Sequence, residues 1–246
     1  MSLPQRTSAA AHIDMQHANP LEARQMAHLV QQLAAMHPKS VLEIGCGPGT
    51  FSIELAKATC AAITALDINP DFVARARTSS ASQQLLGRID FQERSATDLC
   101  AEKFEAVVCI GSSQAFGNTT QALHKCVSFV QRGGCVLFGD LVWRRNPDSE
   151  FLGLLGSAVS DFWFASDASE IFRQANLALF HEETASPEAW RQYESNVLSG
   201  RHRFAATLPS EEADLVRSRA DAWFSIYEQY GQHSLGFAAY LATSRS

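Results

Sequence analysis

The amino-acid sequence predicts a doubly wound α/β fold, with a mostly parallel seven-stranded sheet, helices on both faces and an antiparallel final strand. Three observations support this prediction. Short apolar runs alternate with amphipathic segments over the first 140 residues, a glycine-rich turn follows the first run, and the later part is mostly helical. Alternation of strand, helix and strand implies parallel pairing, because crossovers then bring each strand back beside its neighbour.

Seven apolar runs have the length of buried strands. They are residues 41–44, 62–66, 89–93, 106–110, 135–139, 177–182 and 237–241. Helical spacing of apolar residues predicts eight helices between and around them. These are residues 21–36, 51–59, 70–82, 120–130, 147–160, 167–175, 186–198 and 210–229. Gly133-Gly134 is interpreted as the stop of the helix before the fifth strand.

Composition excludes several classes of function. The formal net charge is −6, so the chain offers no general attraction for a phosphate backbone and we predict no nucleic-acid partner. The six cysteines lie apart, several of them in apolar runs, and we interpret them as free thiols of a reducing compartment. The N-terminus resembles no signal peptide and no apolar stretch approaches about 20 residues, which predicts a cytoplasmic protein without membrane contact.

The segment VLEIGCGPGT, residues 41–50, carries the most specific signal in the chain. A buried strand runs into glycines at positions 45, 47 and 49, and a helix follows. Glycine lets the backbone turn sharply and approach a ligand closely, because no Cβ stands in the way. An ordinary strand-to-helix turn is the alternative interpretation of this segment by itself.

Two acidic residues favour a nucleoside site over a plain turn. Glu43 precedes the glycines, and Asp67 ends the next strand, where a carboxylate can accept both ribose hydroxyls. Neighbouring parallel strands end at the same edge of a sheet, so Asp67 and the glycines are expected to meet in one crevice.

A nicotinamide cofactor is the rival ligand for such a crevice. Its fingerprint requires G-x-G-x-x-G, whereas Thr50 occupies the third glycine position here. Glu43 also suits a cofactor that carries a positive charge better than one that carries a pyrophosphate, which a carboxylate would repel.

These motifs resemble the class I S-adenosylmethionine-dependent methyltransferase family, through residues 43–49 as its first motif and 65–69 as its second. The resemblance covers residues 38–141 and implies a Rossmann-like fold, S-adenosylmethionine as cofactor and S-adenosylhomocysteine as product. It implies that Asp67 binds the ribose hydroxyls and that Ile68 lies against the adenine. Gly45 and Gly47 would bring the backbone to the methionine moiety.

The resemblance continues at the ends of the third and fourth strands. Ser95-Ala96 stand where the family often has Asp-Ala to meet the adenine amino group, and serine can still form a hydrogen bond there. Ile110 and Gly111 would face the reacting methyl group. The predicted cofactor-binding residues are Glu43, Gly45, Cys46, Gly47, Gly49, Asp67, Ile68, Ser95, Ala96, Ile110 and Gly111.

No metal ion is predicted, because the chain lacks the acid that catechol-type enzymes place after the fourth strand to hold magnesium. A narrower resemblance, to a group of bacterial small-molecule methyltransferases, rests on residues 17–20, 139–143, 190–194 and 235–237. It implies that the N-terminal segment and the late helices cover the active site together.

The chain is predicted to be one domain with five parts. They are an N-terminal helical lid (1–37), the cofactor-binding core (38–141), the end of the core with a cap (142–183), a helical insertion (184–234) and the last strand (235–246). The sequence does not predict an oligomeric state.

Two residues are candidates for catalysis. Asp140 ends the fifth strand, where it would orient a substrate hydroxyl or amine, or else cap the next turn. His17 lies in the lid and would act as general base, or else be structural. The predicted reaction is SN2 transfer of a methyl group to a small molecule. A non-catalytic S-adenosylmethionine-binding partner or sensor and an NAD(P)-dependent oxidoreductase remain the alternatives.

Overall fold

A seven-stranded sheet forms the centre of the computed structural model, which describes residues 2–12, 14–85, 87–100 and 102–245. The strands are β1 (Ser40–Ile44), β2 (Ala62–Asp67), β3 (Ile89–Glu93), β4 (Phe104–Ile110), β5 (Val130–Trp143), β6 (Leu177–Thr184) and β7 (Leu235–Ser244). Their order in the sheet is β3-β2-β1-β4-β5-β7-β6. Strand β7 runs antiparallel to both of its neighbours, β5 and β6, and the other paired strands are parallel. The predicted fold class is confirmed.

Helices cover both faces of this sheet and one of its ends. They are α1 (Leu3–Ala11), α2 (Ala23–Ala34), α3 (Thr50–Ala58), α4 (Pro70–Ser82), α5 (Thr119–Phe129), α6 (Ser149–Leu155), α7 (Ala168–Gln174), α8 (Pro187–Ala205), α9 (Ser210–Ile226) and α10 (Gln232–Ser234). Polar caps fix several starts: the side chain of Asn69 accepts from Asp71 N, and Asn118 forms a capping box with Gln121. Within the described ranges, no helix has both the length and the apolar character needed to cross a membrane.

The predicted stop at Gly133-Gly134 is wrong. Helix α5 ends at Phe129, and both glycines lie inside β5, which starts at Val130. The pairing of β4 with β5 shifts register between Phe104 and Ala106, so the glycines belong to a bulge. A Cβ at Gly134 would stand 2.4 Å from the carbonyl oxygen of Glu105, and only glycine fits there.

Two further boundaries differ from the sequence prediction. The helix predicted over 147–160 ends at Leu155, because Gly156 adopts a left-handed conformation (φ 66°) that terminates α6. The helix predicted over 186–198 continues to Ala205, and Gly200 lies inside it without ending it. Gly200 instead lets α1 pack closely, with a Cβ there only 2.6 Å from Ala11 O.

The core consists of two apolar layers, one on each face of the sheet. One layer contains residues of α2, α3 and α4, and the other contains residues of α5 and α7, while the central strands contribute alternate side chains to both layers. Helices α8 and α9 pack on each other and on α1, at the end of the sheet where the parallel strands finish. That end therefore holds the candidate site.

Candidate active site

A crevice of about 470 Å³ opens at the carboxyl ends of β1, β2 and β4. Eight of the eleven predicted cofactor-binding residues line it: Gly45, Gly47, Asp67, Ile68, Ser95, Ala96, Ile110 and Gly111. The crevice lies where the strand order reverses around β1, the position at which open α/β sheets bind ligands. Helix α1 and Tyr193 of α8 close its outer side.

The three glycines of the turn serve three different purposes. Gly45 (φ 72°) lies so close to Ser112 that a Cβ would stand 1.8 Å from its Oγ. Gly49 (φ 80°) begins α3, and a Cβ there would stand 2.7 Å from the Cβ of Ala76, so this glycine serves packing and does not line the crevice. Among described atoms, a Cβ at Gly47 would meet nothing within 4 Å, which leaves the crevice open to a ligand.

Asp67 joins the ends of the first two strands. Its Oδ2 accepts a hydrogen bond from Gly47 N at 2.8 Å, and its Oδ1 accepts one from Asn69 N at 2.8 Å. Burial raises the pKa of this carboxyl above its ordinary value, while these backbone hydrogen bonds oppose the rise. Each oxygen retains a lone pair, so the carboxylate can still accept from a ligand hydroxyl.

The side of the crevice beyond Asp67 is apolar and open. The side chain of Ile68 is 60% exposed, although it is large and hydrophobic. Ser95 caps a short turn through a bond from Thr97 N, and its Oγ also contacts Thr97 Oγ1 at 2.7 Å. A planar apolar group beside Ile68 would cover exposed surface at little cost.

Glu43 and Cys46 lie beneath the glycine turn and outside this crevice. The carboxyl of Glu43 is buried and accepts a hydrogen bond from Ser52 Oγ. Burial raises its pKa to about 8. Both residues border a small groove of about 40 Å³, which also contacts Gly45 and Gly47.

A second cavity, of about 260 Å³, adjoins the crevice and is named here the acceptor cavity. It is lined by His12, Ala18, Asn19, Pro20, Gly111, Gln114, Asp140, Leu141, Trp190, Tyr193, Glu194, Val197, Arg201, Trp223, Leu235 and Phe237. Five of these residues also line the crevice: His12, Ala18, Gly111, Gln114 and Tyr193. The two spaces therefore meet along a shared wall.

The structure separates the two residues predicted for catalysis. Asp140 borders the acceptor cavity, where its two oxygens accept from Ser113 N at 3.0 Å and Leu141 N at 2.8 Å. His17 borders the groove beneath the glycine turn instead, with its Nε2 3.7 Å from Glu54 Oε2. Burial lowers the pKa of His17.

A pair that sequence reasoning missed stands between the two spaces. His12 Nε2 lies 2.9 Å from the hydroxyl oxygen of Tyr193, and its Nδ1 lies 2.8 Å from Ser8 O. Tyr193 belongs to the segment 190–194 singled out above, which was the available signal. Nothing around His12 distinguished it from the other histidines.

Glu194 lies on the opposite wall of the acceptor cavity. It accepts hydrogen bonds from Trp190 Nε1 at 3.2 Å and from Trp223 Nε1 at 2.8 Å. Burial raises its pKa, and the two indole donors oppose that rise. The acid thus fixes two aromatic side chains of α8 and α9 against each other.

Comparison with known proteins gives consistent findings. Residues 41–134 match the family model described as a methyltransferase domain. The protein YjhP of Escherichia coli K12 is 22% identical over 231 residues, which cover 92% of this chain and 93% of YjhP. The match to the crystal structure of YjhP covers 98% of this chain and 100% of the YjhP chain, with a TM-score of 0.88.

Two further relatives extend this result. A crystal structure of a SAM-dependent methyltransferase from Geobacter sulfurreducens, in complex with S-adenosyl-L-homocysteine, has a TM-score of 0.87 at 21% identity and covers 98% of each chain. The ubiquinone biosynthesis O-methyltransferase of Azotobacter vinelandii is 28% identical over 142 residues, which cover 56% of this chain. That match spans only 57% of the relative's length.

The fold, the glycine turn and the matched domain define a class I methyltransferase fold with its ligand crevice in the usual place. Residues 41–134 are matched as a methyltransferase domain, and the fold of the chain is that of the S-adenosylmethionine-dependent methyltransferases compared above. The matched domain favours methyl transfer over the oxidoreductase alternative.

Proposed function

We propose that this methyltransferase transfers its methyl group to an oxygen atom of a small, partly aromatic acceptor that carries an anionic group. The observation that carries the proposal is the shared wall of the crevice and the acceptor cavity. A cofactor in the first space and an acceptor in the second would meet there, with His12 and Tyr193 beside them. Alignment of two reactants in this way can contribute on the order of 7–11 kcal/mol to catalysis.

The residues of the crevice fit S-adenosylmethionine. Asp67 offers acceptor lone pairs to ribose hydroxyls, the exposed side chain of Ile68 offers an apolar surface to adenine, and Gly47 leaves space for the chain that joins them. When bound, the cofactor supplies an electrophilic methyl group, which the acceptor oxygen takes as the carbon–sulfur bond breaks and its electron pair stays on sulfur.

His12 is suited to accept the proton that an acceptor hydroxyl must lose. The carbonyl oxygen of Ser8 can only accept, so His12 Nδ1 carries the hydrogen and Nε2 carries the lone pair. Tyr193 then donates its hydroxyl hydrogen to His12 Nε2. Burial lowers the pKa of His12, which keeps the imidazole neutral and basic near neutral pH.

Tyr193 would relay this proton. Burial raises the pKa of its hydroxyl, so the side chain stays protonated, and Tyr193 lines both spaces. The acceptor hydroxyl passes its proton to the Tyr193 oxygen as the tyrosine proton moves to His12 Nε2. The relatives named ubiquinone biosynthesis O-methyltransferases support oxygen as the methylated atom.

The lining of the acceptor cavity indicates the class of acceptor. Trp190, Trp223 and Phe237 provide aromatic walls, and the volume of about 260 Å³ suits a single ring with short substituents. Arg201 also lines this cavity, where its charge lowers the pKa of Glu194 against the rise that burial causes, and within the described ranges it forms no hydrogen bond and no close ion pair. A carboxylate on the acceptor would satisfy its donors.

Calorimetric titration with S-adenosylhomocysteine tests the cofactor half of the proposal. Asp67→Asn keeps one oxygen for the backbone but loses the charge and the second acceptor, so its Kd should rise by about 30-fold, equivalent to about 2 kcal/mol. Asp90→Asn is the matched control, because Asp90 is an exposed aspartate of β3 outside the crevice. Equal affinity of Asp67→Asn and wild type would refute the cofactor map.

Methyl transfer to a panel of small phenols, with and without a ring carboxylate, tests the acceptor half. We expect O-methylated product with the carboxylated phenols, and Arg201→Gln should raise KM for these alone. Transfer only to amines would overturn the choice of oxygen. Tight cofactor binding without turnover of any acceptor would favour the sensor alternative.

A further inference from the structure

A cluster of two histidines and one glutamate lies away from the crevice, between α2 and the edge strand β6. His28 comes from α2, and His181 and Glu183 come from β6. Glu183 Oε1 lies 2.7 Å from His28 Nδ1 and 3.3 Å from His181 Nε2. One nitrogen or oxygen from each side chain falls within 4.8 Å of the others.

A bulge in β6 directs both strand residues of the cluster toward α2. The pairing of β6 with β7 shifts register between Leu179 and His181. Leu177 and Leu179, before the bulge, pack with the core layer on the opposite face of the sheet. His181 and Glu183, two residues apart after the bulge, share the face that α2 covers.

One ring nitrogen in the cluster has no hydrogen-bond partner. His181 Nε2 is buried and lies 3.3 Å from Glu183 Oε1, but neither that oxygen nor any other group in the part of the chain that the structure describes forms a hydrogen bond with it. The two imidazole rings meet edge to face, with their centroids 4.6 Å apart. An unpaired buried nitrogen costs free energy unless a ligand satisfies it.

Two glutamines of α2 hold the cluster from outside. Gln25 Nε2 donates to Glu183 Oε2 at 3.0 Å, which leaves Oε1 to face the histidines. The amide of Gln32 lies 3.0 Å from His28 Nε2. In the structure His28 Nδ1 donates to Glu183 Oε1. With an ion bound, the Gln32 oxygen would accept from Nε2–H and leave the lone pair of Nδ1 to the ion. Burial works to raise the pKa of Glu183, but the hydrogen bonds from His28 and Gln25 outweigh it and the pKa is lowered.

We propose that His28, His181 and Glu183 bind a divalent transition-metal ion of the zinc class, which ties α2 to the sheet edge. Two imidazoles and one carboxylate are an established zinc ligand set, with bonds of about 2.0–2.2 Å. The present spacing closes around such an ion after small side-chain rotations. His28 is 44% exposed, so the ion enters from solvent and a water completes its coordination.

This site departs from the sequence prediction of no metal ion, which rested on the missing acid after the fourth strand. The cluster lies at the β6 edge of the sheet, separated from β4 by β5 and β7. The ion would therefore stabilise the protein and take no part in methyl transfer. Helix α2 follows residues 18–20, which line the acceptor cavity, so its attachment also holds that segment in place.

Titration of chelator-treated protein with Zn²⁺ and Co²⁺ tests the proposal. We expect one equivalent of Zn²⁺ to bind with a micromolar or lower Kd and to raise Tm, and Co²⁺ to give the visible absorption of a four-coordinate nitrogen and oxygen site. His28→Ala should weaken binding by more than about tenfold without loss of fold, because the side chain is largely exposed. His202→Ala is the control, since His202 pairs with Asp221 in a similarly exposed position elsewhere.

Three results would overturn the proposal. One is the absence of saturable binding to wild type. Another is equal affinity of His28→Ala and wild type. The last is a cobalt–thiolate band in the near ultraviolet, which would assign the ion to exposed Cys60 or Cys100.

Discussion

The cofactor crevice is formed by the ends of neighbouring strands, whereas the acceptor cavity is formed by side chains from segments far apart in the sequence. Gly45, Gly47 and Asp67 line the crevice from the ends of two consecutive strands. The acceptor cavity joins His12 with residues near 140, 190–201, 223 and 237. A common cofactor can thus be held by a short, local motif, while acceptor choice is left to the covering helices.

The largest expected effect is on kcat and comes from substitution of His12, which should impair catalysis without weakening cofactor binding. His12→Gln removes the basic nitrogen and should lower kcat by about 10²- to 10³-fold. Affinity for S-adenosylhomocysteine should change little, because Asp67 and the glycine turn remain. Wild-type kcat/KM should fall as the pH decreases below 6.5. Burial lowers the pKa of His12, and only the neutral form acts as base.

Tyr193→Phe should lower kcat in the same way, because it breaks the relay. His124→Gln is the control: His124 is an exposed histidine of α5 and lies outside both spaces. If His12→Gln retained wild-type kcat with an unchanged pH profile, the proposed base would be wrong.

Gly45→Ala should have the next largest effect, this time on the crevice. The new Cβ would overlap Ser112 and the backbone at φ 72° disfavours any side chain, so S-adenosylhomocysteine should bind on the order of 100-fold more weakly. Adding Ser112→Gly should recover part of the affinity, because it removes the overlap but not the backbone strain.

Gly153→Ala is the matched control for this measurement. Gly153 lies in α6 at an ordinary helical conformation, and a Cβ there would meet no described atom within 4 Å. Calorimetry on the three variants separates a local requirement for glycine from a general loss of fold. Wild-type affinity in Gly45→Ala would show that the turn is more adaptable than its geometry indicates.

The same contrast explains how much of the site the sequence predicts. Asp67 and Gly47 are 20 residues apart and join through parallel neighbours, β1 and β2, so strand periodicity alone brings them together. The sheet and the crevice follow from local patterns of this kind. Gly49 looked equivalent to Gly45 and Gly47 in the sequence, yet it serves only packing.

The remaining part of the site depends on packing between helices that are far apart in the sequence. His12 and Tyr193 are 181 residues apart, and their contact depends on how α1 lies on α8. Apolar periodicity predicts that each helix forms but does not predict the angle or register of this packing. For this reason His17, which lies only five residues further along the chain, was the candidate base, although its side chain borders a different groove.

A smaller effect is expected from Glu43→Gln. This variant tests whether the ionised Glu43 carboxylate, buried beneath the glycine turn, destabilises the folded protein. Folding raises the pKa of Glu43 from 4.5 to about 8, so the folded state holds this proton more tightly than the unfolded state. The Glu43 contribution to the free energy of unfolding is complete below pH 4.5 and declines as the pH rises toward 8. The variant removes this decline.

Thermal unfolding without cofactor at several pH values measures how this stability changes with pH. The difference in Tm between Glu43→Gln and wild type should grow in favour of the variant from pH 5 to pH 8, by roughly 2–4 °C for each kcal/mol involved. Glu93→Gln is a control at an exposed glutamate of β3. A pH-independent difference would mean that Glu43 is already ionised in the folded protein.

The smallest effect is expected at Ile68, where the proposed contact is purely apolar. Ile68→Ala should weaken S-adenosylhomocysteine binding by about fivefold, since it removes roughly 1 kcal/mol of apolar burial against adenine. Stability should not fall, because the side chain is 60% exposed without a ligand. Leu154→Ala, at a leucine that is 52% exposed on α6, should change neither quantity. If Ile68→Ala bound as tightly as wild type, the adenine would have to lie elsewhere in the crevice, even though Asp67 still held the ribose.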